Sequence, residues 1–122
     1  VHSHKPLLVI ALLAATASPA LAQTFPPGFV QDDVAPGAGF VVPVQVAWLP
    51  DGRMLVVEKR GRIQVVKNGI KNPVPMWQGD NEVLDQQDRG FLSVAVDPHY
   101  FVNHFIYLLY TVDPDSDGVD TN

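Results

Sequence analysis

Residues 44–66 read VQVAWLPDGRMLVVEKRGRIQVV, and the rest of the chain reads as a continuation of them. Val44, Val46 and Trp48 alternate with Gln45 and Ala47 until Pro50-Asp51-Gly52 breaks the run. Met54 to Val57 forms a second run, Arg60-Gly61 turns the chain again, and Ile63, Val65 and Val66 make a third. The continuous apolar stretch Leu55-Val56-Val57 suits a strand covered on both faces. Turn residues at such short intervals predict an antiparallel meander whose strands pair with their neighbours in sequence. A meander this small cannot bury both of its faces by itself.

Working outward, Asn68-Gly69 is a hairpin signal, because both residues tolerate the positive φ of a type I′ turn. Pro73-Val74-Pro75-Met76-Trp77 follows; two missing backbone donors place any strand here at a sheet edge. Four strands are therefore expected, at about 44–48, 53–58, 62–66 and 73–77, giving an all-β chain built on the antiparallel four-stranded meander that forms a β-propeller blade. Residues 78–89 form a polar loop, and GFLSVAV (90–96) and FIYLLYTV (105–112) supply two more strands around a turn at Asp97-Pro98-His99-Tyr100. About one and a half blades are thus expected. Trp48-Leu49-Pro50-Asp51 matches Val96-Asp97-Pro98-His99 in position, and residues 54–57 match 106–109, as in a repeat.

At the other end, residues 1–22 resemble an export signal. His2, His4 and Lys5 precede an apolar core over 7–17, and Ala20-Leu21-Ala22 supplies a small-x-small cleavage pattern, placing the cut between Ala22 and Gln23. The apolar run is shorter than the ~20 residues of a membrane span. A periplasmic or secreted product, with no membrane attachment after cleavage, is expected. Residues 23–42 are rich in Pro and Gly and read as a flexible leader, although Phe29-Val30 and Phe40-Val41-Val42 could lie against a sheet edge; 43–122 is left as the folded part. The chain carries 8 basic and 13 acidic residues, and only Lys5 lies in the signal. An acidic surface without basic clusters argues against nucleic-acid partners. With no cysteine, disulfides, thiolate metal sites and a thiol nucleophile are excluded.

Few side chains suggest chemistry. Glu58 is either a carboxylate at the mouth of a propeller or, as expected here, a strand-end acid paired with Arg60 or Arg62. Arg89, beside Asp88, could orient an anion in fork geometry or simply tie down its loop. His99 and His104 lack ligand-like neighbours and read as turn residues. Asp113-x-Asp115-x-Asp117-Gly118 matches the first half of a calcium loop, but no helix precedes it, so an acidic connecting loop and no metal ligand are expected, with weak calcium binding in a complete protein left open. Tyr107 and Tyr110, three apart, fall on opposite strand faces. No phosphate-binding glycine loop and no Gly-x-Ser-x-Gly motif occurs.

Two linked motifs in order, Pro50-Asp51-Gly52-Arg53 with Glu58-Lys59-Arg60-Gly61-Arg62-Ile63, then Gly90-Phe91-Leu92, Asp97-Pro98 and Ile106-Tyr107-Leu108-Leu109-Tyr110, resemble the start of the soluble glucose/sorbosone dehydrogenase family. Those proteins are six-bladed propellers typified by enzymes that use pyrroloquinoline quinone (PQQ). The resemblance covers roughly residues 40 to 114 and implies the N-terminal part of a longer propeller. It implies oxidation of an aldose at its anomeric carbon, with a histidine base and hydride transfer to a PQQ polarised by calcium. The base, the PQQ-binding residues and the calcium ligands of that family fall outside this chain. None of its catalytic residues, and no cofactor bound by this segment alone, is therefore expected here. The one site neighbourhood reached is the loop before Gly90, where Gln87, Asp88 and Arg89 are the candidate sugar-binding residues. Asp88 stands where glucose enzymes carry glutamine, a departure that leaves the sugar open. It also leaves open a non-catalytic propeller that binds a protein or glycan.

Overall fold

The computed structural model describes residues 25–119; the export signal expected over residues 1–22, with its cut before Gln23, lies outside them. Two compact units are distinguished, divided after Gln31. In the described part of the first, Phe29 N–H bonds the Pro26 carbonyl at 3.1 Å and Gly28 takes φ +88°. That is the positive φ a Pro-Gly turn requires at its third residue.

The second unit is all-β apart from one helical turn. Its strands are β1 (Pro43–Trp48), β2 (Met54–Glu58), β3 (Arg62–Lys67), β4 (Ile70–Lys71), β5 (Trp77–Gln78), β6 (Phe91–Val96) and β7 (Ile106–Tyr110), with α1 (Tyr100–Asn103) between the last two. β1, β2 and β3 pair antiparallel in sequence order, and β4 and β5 both pair with β3. The expected hairpin is present, with Asn68 at φ 52° and Gly69 at φ 76°.

The fourth strand differs from the expected 73–77. It is split in two, β4 against Val66 and Lys67 and β5 against Arg62 and Ile63. Asn72 and Met76 still donate to the Val65 and Ile63 carbonyls, at 2.8 and 2.7 Å. The chain thus follows β3 throughout, and Pro73 and Pro75, which have no N–H to give, interrupt the ladder between them.

β6 and β7 form a separate antiparallel pair, the first half of a second blade. The register supports the repeat. β1 carries an irregularity between Pro43 and Gln45, and β6 carries one between Phe91 and Ser93, at the same point of each first strand. Trp48 faces Met54 across the first turn as Val96 faces Ile106 across the second.

β2 is buried along its whole length. Leu55 and Val57, with Ile63 and Val65 of β3, pack toward the second pair around Phe91, Val94 and Tyr100. Trp77, Phe91 and Tyr110 form an aromatic group there, Phe91 standing edge-to-face with each of the other two and Trp77 and Phe91 with ring centroids 5.1 Å apart. Met54, Val56 and Val66 point the other way, onto Ala35, Ala38 and Phe40. The leader is therefore not loose throughout: from Ala35 onward it covers the face of β2 and β3 that the meander cannot cover itself. β1 and β7 keep alternate apolar side chains exposed, among them Val44, Val46, Trp48, Tyr107 and Leu109.

Candidate functional site

Antiparallel pairing sorts the turns to two ends of the sheets. The 49–53 turn, the 68–69 hairpin and the α1 turn share one end. The 59–61 turn, the long 79–90 loop and the segment after Tyr110 share the other. Most of the acidic and basic candidates collect at this second end, where a cleft of about 390 Å³ is lined by Val41, Glu58, Arg60, Arg62, Asp80 and Asp85, among others.

Glu58 lies at the inner wall of the cleft and is 2% exposed. It is not paired with Arg60 or Arg62, contrary to expectation. Its Oε1 accepts the Val41 N–H at 2.8 Å, and its Oε2 accepts from Gln64 Nε2 at 2.9 Å. The reason is register. Glu58 and Gln64 are diagonal neighbours on one face of the β2–β3 pair, close enough for long side chains to meet, and the leader closes over them. Arg62 instead forks onto Asp80, with Nη2 at 2.7 Å from Oδ2. The Arg62 hydrogen bond holds the Asp80 carboxyl below its usual range, and Asp80 in turn raises Arg62.

The loop before β6 is fixed from below by Lys59. Its Nζ bonds the Gln87 carbonyl at 2.8 Å and lies 2.8 Å from Asp85 Oδ1. No hydrogen bond to that oxygen is formed, so the second contact is an ion pair off the hydrogen-bond axis. Arg60 approaches the other oxygen of Asp85 at 3.6 Å. Phe91 N–H bonds the Lys59 carbonyl at 2.8 Å. Gly90 has to be glycine, because its φ is +147° and a Cβ would meet the Lys59 carbonyl oxygen at 2.9 Å. This tether presents Gln87, itself at φ 49°, and Asp88 as exposed residues, with Arg89 half-buried behind them. The three candidates therefore stand at the cleft end of the sheets, beside the cleft and not in its lining.

His99 and His104 cap the two ends of α1, at the opposite end of the sheets, and both are exposed. They are turn residues, as expected, and are separated from residues 87–89 by the length of β6. Tyr107 and Tyr110 fall on opposite faces, donating to Asp97 at 2.5 Å and to Glu82 at 2.8 Å respectively. Sequence reading missed Gln64, Lys59 and Asp85 as supports. Gln64 alone carried a signal, an amide in an otherwise apolar run.

The family model of glucose/sorbosone dehydrogenases matches residues 40–122. The chain belongs to that family. An uncharacterised Synechocystis sp. protein is 29% identical over 80 residues, which are 60% of this chain and 19% of that protein. A crystal structure from Thermus thermophilus, provisionally described as an oxidoreductase (glucose dehydrogenase), superposes with a TM-score of 0.55 at 29% identity. It covers 66% of this chain and 23% of the other. The chain thus spans about a fifth of the length of each relative. Its uncovered strand faces on β1 and β7 are those a repeat architecture buries against neighbouring blades.

Proposed function

We propose that the segment forms the first blade and a half of an exported, PQQ-dependent aldose dehydrogenase, acting at the sugar's anomeric carbon. Its own contribution would be one wall of the sugar site. The observation that carries this reading is the placement of the 87–89 loop, which Lys59 and Gly90 hold out at the cleft end of the sheets. From there Asp88 can accept hydrogen bonds from sugar hydroxyls, and Gln87 can both accept and donate.

The cleft itself does not fit PQQ. A quinone with three carboxylates needs unpaired cations, whereas Arg60 and Arg62 are already engaged by Asp85 and Asp80, and Glu58 adds a third acid to the lining. The cofactor and its calcium are accordingly assigned to residues outside this segment, and no chemical step is assigned to the residues within it.

The test is dye reduction by the full-length protein with PQQ and calcium, offered a panel of aldoses. Turnover that needs PQQ and an unblocked anomeric hydroxyl is expected. No turnover with any aldose, together with retention on a glycan or protein ligand, would instead favour the non-catalytic binding module that the Asp88-Arg89-Gly90 spelling leaves open.

A further inference from the structure

We propose that residues 113–119 form a calcium-binding loop, separate from any cofactor-linked metal of the parent protein. Asp113, Asp115 and Asp117 each bring one carboxylate oxygen within 4.8 Å of the others. The spacing is that of positions one, three and five of a D-x-D-x-D-G loop. Gly118 occupies the sixth position with φ +72°, and the Val119 carbonyl would be the seventh-position ligand.

Sequence alone favours an acidic connector, and spacing alone would not overturn that. A second observation does. Asp113 is only 5% exposed, and its Oδ2 accepts the Gly118 N–H at 2.7 Å. Its Oδ1 is buried and has no hydrogen-bond partner among the described residues. A buried carboxylate oxygen with neither donor nor cation is costly, and it sits on the residue that opens the acidic cluster. A bound cation satisfies that oxygen.

Calcium fits best among common ions. The ligands are all hard oxygens without His or Cys, which disfavours zinc and copper. A loop giving three carboxylates, one carbonyl and room for water suits the six to eight flexible positions of Ca²⁺ better than the strict octahedron of Mg²⁺. The loop needs no helices to hold it. Asp113 N–H bonds the Glu82 carbonyl at 2.9 Å, Val112 bridges to Val83, and Gln86 Nε2 bonds the Gly118 carbonyl at 2.7 Å. The site is therefore tied to the 79–90 loop, and calcium there would brace the same loop that presents Gln87 and Asp88.

Equilibrium dialysis with ⁴⁵Ca²⁺ on the full-length protein tests this. Asp115→Asn/Asp117→Asn is the informative variant, since both side chains are exposed, and Asp32→Asn is the control for removal of an exposed acid elsewhere. The wild type and the control are expected to bind one more calcium per chain than the double variant, with a Kd of roughly 10⁻⁴–10⁻³ M, as in extracellular calcium modules. Calcium is also expected to raise the Tm of the wild type and not that of the variant. Equal stoichiometry in all three proteins, or displacement by Mg²⁺ at the same concentration, would overturn the proposal. If the double variant fails to fold, Asp115→Asn alone gives the reading: affinity at least tenfold weaker supports the site, and unchanged affinity refutes it.

Discussion

The side-chain amide of Gln45 imitates a strand partner for Val94. Its Oε1 accepts the Val94 N–H at 2.6 Å and its Nε2 donates to the Val94 carbonyl at 3.1 Å. Gln45 lies on β1 and Val94 on β6, the first strands of successive blades, so one side chain joins two sheets that share no ladder. Losing it leaves both backbone groups of a buried residue unpaired. Gln45→Ala is therefore expected to lower the stability of the full-length protein by about 1–3 kcal/mol, measured by urea unfolding. A change under about 0.5 kcal/mol would mean that water replaces the amide.

Glu58 supports a second junction, between β2, β3 and the leader. Glu58→Ala strands two donors, the Val41 N–H and the Gln64 amide, and is expected to cost about 1–3 kcal/mol. Glu58→Gln keeps one acceptor and turns a donor toward a donor, so it should fall between wild type and Ala. Hydrogen exchange supplies the specific check: the Val41 amide should lose protection in Glu58→Ala. Unchanged exchange there would show that the leader docks without this carboxylate.

The strands of the meander were readable because their causes are local: alternating side chains, Pro50-Asp51-Gly52, and the Asn68-Gly69 turn. The split of the fourth strand was half readable, since Pro73 and Pro75 announce an edge but not how the chain keeps contact with β3. The partner of Glu58 was misread because nearby arginines are obvious in sequence, whereas Gln64 becomes a neighbour only once the β2–β3 register exists. Lys59 is the same case at longer range. Its contacts with Asp85 and Gln87, 26 and 28 residues on, depend on the loop that leads into the second pair. The leader's role was half hidden by its composition: the apolar run at Phe40 could be read as lying against the sheet, but proline and glycine report backbone freedom and not that Ala35 has a sheet face to cover.

The Arg62–Asp80 pair sets an acid limit. The folded-state pKa of Asp80 is lowered from 3.8, chiefly by its hydrogen bond with Arg62. Its stabilisation is therefore fully present above the unfolded value and is lost as pH falls through the lower folded value. Both side chains are partly exposed, so screening keeps the contribution below about 1 kcal/mol. Wild type should melt slightly above Asp80→Asn at pH 6, and the gap should close below pH 4 and shrink with added salt. A gap that widens in acid would contradict this.

If the 87–89 loop faces the sugar, replacing Asp88 should alter binding before turnover. In the full-length protein, Asp88→Ala is expected to raise KM for the preferred aldose by about ten- to a hundredfold, the value of one hydrogen bond to a charged acceptor, with kcat changed less. Asp88→Gln, which restores the residue type expected of glucose enzymes, should shift the ranking of aldoses. Steady-state kinetics across the sugar panel decide this, and an unchanged ranking in both variants would remove Asp88 from the site.

Excising residues 23–122 should abolish cooperative folding. Repeat units gain most of their stability from interfaces with neighbours, and this segment leaves Trp48 60% exposed alongside Val44, Val46, Tyr107 and Leu109. Each large apolar side chain left in water forgoes about 1.5–3 kcal/mol, so a handful of them is comparable with the whole stability of a small domain. The excised segment is expected to bind an apolar dye, melt over a broad range and show poorly dispersed amide resonances. A sharp thermal transition with dispersed resonances would show instead that the leader and the aromatic group of Trp77, Phe91 and Tyr110 hold these strands without the remaining blades.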